Sequence, residues 1–235
     1  MTIYRLLSCI PAAFALLGAE AAQIAASGAD TTTTRDAWRT ASVAKPLDVD
    51  GDNVYGTDGY LMFQTGYSGD KHVVKPNVFA DASDALPRYV TVLPAGATAS
   101  LGSAKFAMID DPTEPGSDLL SGVALVSGVA PGAEVSIFKL VLKNQPAQGV
   151  RVGVMVNNAV DRNPGAVRLA LDGDATVTAT HHTAQSARNQ ACYFFFDVTG
   201  LSGTSTLTLY VTEDTTDNNK SGEVRIGGLT FDTLR

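Results

Sequence analysis

The chain has 235 residues, of which 45% are hydrophobic, and a formal net charge of -7. That length supports one full-sized core, and the acidic balance disfavours nucleic acid and anionic lipid as partners. After the first residues no stretch approaches the roughly 18 to 20 apolar residues of a membrane helix, so no membrane insertion is expected.

In chain order, Arg5 precedes the apolar run Leu6 to Leu17, and Gly18-Ala19-Glu20-Ala21 then offers small residues where a signal peptidase reads. Residues 1–21 are therefore predicted to be a signal peptide cleaved after Ala21, which implies a secreted, cell-surface or periplasmic protein. Its removal takes away Arg5 and Glu20, one charge of each sign, so the net charge is unchanged. Cys9 leaves as well, which makes Cys192 the sole thiol and excludes an internal disulfide. Within Ala191-Cys192-Tyr193-Phe194-Phe195-Phe196, that thiol reads as a small buried hydrophobe rather than a nucleophile. Residues 22–40 are small and polar, with a threonine tract at Thr31 to Thr34, and read as a flexible lead-in to a single domain over residues 41–235.

From Leu47 to Phe63, LDVDGDNVYGTDGYLMF, carboxylates and glycines crowd a loop that opens into a strand-like run. Asp48, Asp50 and Asp52 alternate like the first three ligands of a calcium loop, because hard cations take oxygen donors. The remainder of an EF-hand is missing: Asn53 stands where glycine is required and Gly59 where a bidentate glutamate is. Two readings stay open, a structural Ca2+ completed by Asp58 or a backbone carbonyl, and a solvated turn whose carboxylates cap neighbouring amides. No other cofactor is expected.

Binding a sugar takes a flat aromatic face and a few polar groups that bond hydroxyls. Tyr60 falls in the strand-like Tyr60-Leu61-Met62-Phe63 and is assigned to the core, so Tyr55 and Tyr67, together with Asp58, are the candidate ligand-binding residues. The partner they suit is a glycan or cell-surface polymer.

Further along, Val150, Val152, Val154 and Val156 alternate with Arg151, Gly153 and Met155, and Leu207, Leu209 and Val211 alternate with Thr206, Thr208, Tyr210 and Thr212. Period-two patterning of this kind predicts half-buried strands. Tyr89 to Leu93, Lys105 to Ile109, Val135 to Lys143, Ala166 to Leu171, Ala175 to Thr180, Ala191 to Val198 and Glu223 to Phe231 are further candidates. Turn signals separate them at Asp111-Pro112, Pro115-Gly116, Pro131-Gly132, Asn163-Pro164-Gly165 and Asp172-Gly173. In the last segment Val224 and Ile226 have one parity and Leu229 and Phe231 the other, so a glycine bulge at Gly227-Gly228 is predicted to turn all four inward. Glu213 to Lys220 reads as a solvated hairpin tip, and no wall-sorting tail or membrane anchor is read after Phe231. The expected fold is all-β, a two-sheet antiparallel β-sandwich of the jelly-roll kind.

Tyr55-Gly56-x-Asp58-Gly59-Tyr60, Leu86-Pro87-x-Tyr89-Val90, Phe195-Phe196-Asp197-Val198-x-Gly200 and Gly227-Gly228-Leu229-x-Phe231 occur in an order that resembles secreted bacterial galactose-binding-like domains. The resemblance covers roughly Lys45 to Asp232 and implies a β-sandwich module of the type attached to glycosidases or exported surface proteins. Where the related pattern has a tryptophan, this chain has Asp50-Gly51-Asp52-Asn53.

Catalytic signatures are sparse. His72, His181 and His182 are the only histidines, and adjacent residues of a strand point to opposite faces, so His181 and His182 do not converge on one metal. No nucleophile elbow, phosphate loop or dinucleotide fingerprint is present. The reading from sequence is an exported non-catalytic glycan-binding module. Its alternatives are a structural or matrix protein of the cell surface and a polysaccharide-acting enzyme, either a jelly-roll lyase or a glycosidase with paired carboxylates.

Overall fold

The computed structural model describes residues 20–31, 47–48, 56–63, 67–68, 71–72, 82–103, 109–110, 122–158, 164–182, 190–213 and 222–235. Every regular element among the described residues is a strand. An eight-stranded sheet contains β1 (Gln23–Thr31), β3 (Gly59–Phe63), β6 (Ala82–Ala85), β8 (Ser100–Ser103), β10 (Gly122–Ser127), β12 (Val150–Asn158), β15 (Gln190–Thr199) and β17 (Glu223–Thr233). Its main path runs β1-β15-β12-β17-β10-β8, and β3 joins β17 to β6. A five-stranded sheet holds β7 (Val90–Pro94), β11 (Glu134–Lys143), β13 (Pro164–Leu171), β14 (Thr178–His182) and β16 (Thr204–Glu213), in the order β14-β13-β16-β11-β7. Two short ribbons complete the set: β2 (Leu47–Asp48) parallel to β9 (Ile109–Asp110), and β4 (Tyr67–Ser68) antiparallel to β5 (Lys71–His72). All pairings inside the two large sheets are antiparallel.

The two sheets enclose one apolar core because alternate side chains of each strand share a face. Phe138, Leu140, Leu142, Val167, Leu169, Leu207, Leu209 and Val211 come from the smaller sheet, and Val150, Val152, Val154, Phe194, Phe196 and Val198 from the larger one. In β17 the predicted bulge is present: Met155 faces Gly228 and Val156 faces Ile226, so Gly227 is the extra residue. Val224, Ile226, Leu229 and Phe231 are consequently all buried in the core. The bulge also divides the far edge of β17, which pairs with β10 over Glu223 to Ile226 and with β3 over Gly228 to Phe231.

The centre of the larger sheet is buried on its other face too, although Arg151 and Asp197 on the same parity are 35% and 23% exposed. Tyr193, Phe195, Met155 and Thr230 have exposures of 2%, 6%, 2% and 4%, although their parity turns them away from the core. Tyr193 directs its O–H at Met155 Sδ, 2.9 Å away. Gly153 permits this packing, since a Cβ there would sit 2.1 Å from Thr230 Oγ1 and 3.3 Å from the Phe195 ring. Only the smaller sheet, among the described residues, presents a broad polar face.

Several expectations shift. Within the expected lead-in over residues 22–40, Gln23–Thr31 forms β1, an edge strand paired to β15 along its length. Its small residues carry little strand signal. What places them is the open edge of β15, with Ile24 opposite Val198 and packed in the core. Pro164 opens β13 instead of lying in a turn, a position where proline's missing N–H is tolerated. The strand expected from Ala175 begins at Thr178, because Asp174 Oδ1 accepts the Thr176 N–H and O–H at 3.0 and 2.6 Å and fixes a turn there. Tyr60, assigned to the core, is half-buried opposite Thr230, while its neighbour Leu61 is the core residue.

Candidate functional site

The segment after the acidic loop is held by a clasp at one end of β17. Asp232 accepts the Gly56 N–H on Oδ2 at 2.9 Å, and the Thr57 N–H and O–H on Oδ1 at 2.7 and 2.9 Å. The Asp58 N–H donates to Phe231 O at 3.1 Å, and Asp58 Oδ2 accepts from Tyr89 O–H at 2.7 Å and Thr233 O–H at 2.6 Å. Gly56 has φ +73, a left-handed conformation that lets the chain turn back toward β17. Burial pushes the Tyr89 phenol well above the ordinary tyrosine range, and the Asp58 carboxylate beside it adds to the rise. Tyr89 is therefore a neutral donor and Asp58 its acceptor. The donors on both carboxylates come from the protein itself, so the clasp serves to hold the loop.

The other residues singled out in the sequence are more scattered. Asp50, Asp52 and Tyr55 lie outside the described residues. Asp48 takes its place in β2 at the register position of Asp110, and Tyr67 pairs across its ribbon with His72. Among the described residues no group of three or more His, Cys, Asp or Glu side chains could hold a metal ion. His181 and His182 do part to opposite faces. His181 donates its Nε2–H to Phe195 O at 2.8 Å between the rings of Phe194 and Phe196, and His182 is exposed.

A second constellation covers the outer face of the smaller sheet. Antiparallel register aligns its outward residues in rungs: Leu93, Lys139, Thr208, Ala170 and Thr178 in one, Ser136, Tyr210, Arg168 and Thr180 in the next, then Glu134, Thr212, Ala166 and His182. Thr91, Val141 and Thr206 continue the pattern on the other side. At its centre Arg168 lies over Tyr210, with Cζ 3.9 Å from the ring centroid. Glu134 grips the same guanidinium through Nε at 2.8 Å and Nη2 at 2.5 Å, a bidentate pair that raises the Arg168 pKa and keeps the group charged. Next to it Asp172 accepts from Lys139 Nζ at 3.1 Å on one oxygen and from Thr208 O–H at 2.5 Å on the other. Thr208 is buried and Thr178 donates its O–H to Leu169 O at 3.0 Å, so the hydroxyls set around the aromatic and guanidinium platform are those of Thr91, Thr180, Thr206 and Thr212, each stiff at χ1.

One sign of this face is local to the sequence. Thr206, Thr208, Tyr210 and Thr212 share one parity of β16, and a strand whose polar parity is nearly all hydroxyl differs from an ordinary solvated face of lysines and glutamates. Arg168 and Glu134 could not be linked to it, because they meet Tyr210 only through the strand order.

No protein-family model matches the chain, and no curated protein does. Among solved structures, the enzymatically active domain of bacteriophage CBA120 tailspike protein 4 is similar over 63% of this chain, at 11% identity and a TM-score of 0.37. This chain spans 20% of that one. The two antiparallel sheets implied by the galactose-binding-like resemblance are present, whereas no comparison establishes that family. That neighbour is described as enzymatically active, and at a TM-score of 0.37 the likeness decides neither for nor against catalysis in this chain. At that level of similarity it transfers no activity, substrate or residue.

Proposed function

We propose that the protein is exported and directed at glycans, and that its working surface is the outer face of the smaller sheet. The observation that carries the reading is the central platform, Arg168 over Tyr210 and gripped by Glu134, set among rungs of threonine hydroxyls. A sugar ring offers an apolar face for such a platform and hydroxyls that both donate and accept, which threonine side chains match. An open sheet face suits a long polymer better than a small molecule, which needs a concave pocket. Export fits the start of the fold: a leader ending at Ala21 releases a chain whose first ladder pair is Gln23 with Thr199, so cleavage leaves β1 intact.

The test is a panel of polysaccharides scored both for retention of the protein and for release of new chain ends, so that binding and turnover are read together. Tyr210→Ala and Arg168→Ala are expected to lose whichever signal the unaltered protein shows, by about tenfold or more. Tyr55→Ala and Tyr67→Ala place the rival site beside the acidic loop. Losses confined to those two variants would move the surface there, and no retention, turnover or thermal shift with any glycan would end the reading.

A further inference from the structure

We infer that the polymer this face selects is an uncharged one. The inference rests on the glycan reading above and narrows it to a substrate class. Its basis is the state of the cations. Acidic polysaccharides, rich in carboxylate or sulfate, are recognised by unpaired arginine and lysine, and the two cations at the centre of this face already have carboxylate partners. Arg168 is held by both oxygens of Glu134, and Lys139 by Asp172, whose second oxygen is engaged by Thr208. Arg168 and Lys139 stand within β13 and β11, with Glu134 at the start of β11 and Asp172 in the turn after β13, and the side chains are only part-exposed: 27% and 36% for Arg168 and Glu134, 45% and 33% for Lys139 and Asp172.

A polyanion laid along the rungs would meet Glu134 and Asp172 beside each cation it sought, and the whole chain carries -7, so approach is unfavourable as well. Among the described residues, the other basic positions that these strands carry on this face are peripheral. Lys143 stands at the end of β11 opposite Thr204, and His182 at the end of β14 opposite Ala166. Between them the described surface offers hydroxyls, one phenol, the exposed Leu93 and two ion pairs, which suits the hydroxyls and apolar ring faces of a neutral polyhydroxylated chain. The paired carboxylates thus act as specificity determinants: they orient the cations and reject anionic competitors.

The experiment compares retention on immobilised neutral polysaccharides and on a polyuronate, at about 50 mM and about 500 mM salt. The unaltered protein is expected on a neutral polymer at both salt concentrations and not on the polyuronate. Glu134→Gln and Asp172→Asn each release one cation, and each is expected to raise polyuronate retention about fivefold at low salt, with the gain lost at high salt. Thermal melts confirm that each variant is folded, and the two variants test separate ion pairs. Salt-sensitive retention of the unaltered protein on polyuronate, or folded variants whose preference does not move, overturns the inference and leaves the glycan reading in place. Retention on no polymer at all overturns the glycan reading itself, and this inference with it.

Discussion

Replacing Asp232 by alanine tests whether the clasp holds the two ends of the fold together. Its carboxylate, in a residue 7% exposed, accepts from the Gly56 N–H, the Thr57 N–H and the Thr57 hydroxyl. The donors differ in what happens next. Thr57 is exposed, so its N–H and hydroxyl turn to water and lose only part of their contribution, whereas Gly56 is buried and its N–H stays unpaired. An orphaned buried donor costs about 1–3 kcal/mol and each bond to an ionised acceptor contributes about 1.5–3 kcal/mol before rehydration, which together place the loss near 3 kcal/mol. For a chain of this size that lowers Tm by about 6–12 °C. Urea denaturation is the assay, with the midpoint falling at unchanged slope. Asp232→Asn is expected to recover little, because its amide puts a donor where an acceptor is needed, and Thr57→Val, which removes only the exposed hydroxyl bond, costs about 1 kcal/mol or less. An alanine variant within about 1 kcal/mol of the unaltered protein would show that the loop donors have other acceptors and that the clasp does not hold them.

The remaining predictions concern packing and pH. Gly153→Ala is expected to destabilise by about 1–3 kcal/mol in denaturant titrations, because its new methyl would lie 2.1 Å from Thr230 Oγ1 in a layer that cannot widen without moving Phe195. Leu209→Ala, fully buried between the sheets, is expected to lose about 2–5 kcal/mol by the same measurement, whereas Leu93→Ala, on an exposed position of β7, changes stability by about 0.5 kcal/mol or less. Tyr89 supplies an alkaline limit. Its phenol is raised in the folded state, so its contribution is complete below the ordinary tyrosine value of about 10 and declines as pH climbs beyond it. Tyr89→Phe should therefore be less stable at neutral pH yet show a shallower loss above about pH 10 when melts are compared across the alkaline range.

The strands were readable wherever alternation was strong, as in β11, β12 and β16, and so was the bulge in β17, whose parity switch at Gly227-Gly228 is written in four apolar residues. β10 has no alternation to mark it: Val123 to Val126 is a continuous apolar run, and such a run does not separate a buried strand from other buried chain. β1 was legible in neither way. The candidate site divides similarly: the hydroxyl parity of β16 is local, while the approach of Arg168 to Tyr210 and of Glu134 to Arg168 depends on β16 lying between β11 and β13.

Side-chain alternation is a property of the extended backbone, so a few consecutive residues suffice to specify an all-β chain and the parity of each strand. Which parity meets a second layer, and which strands become neighbours, follows from contacts between residues far apart in the chain. Asp232 and Gly56 are separated by 176 positions, and no local pattern links them. The same is true of the outer faces. Tyr193 and Phe195 lie buried on one sheet while Tyr210 and Arg168 form a platform on the other, a distinction made only when the sheets assemble and one outer face is covered.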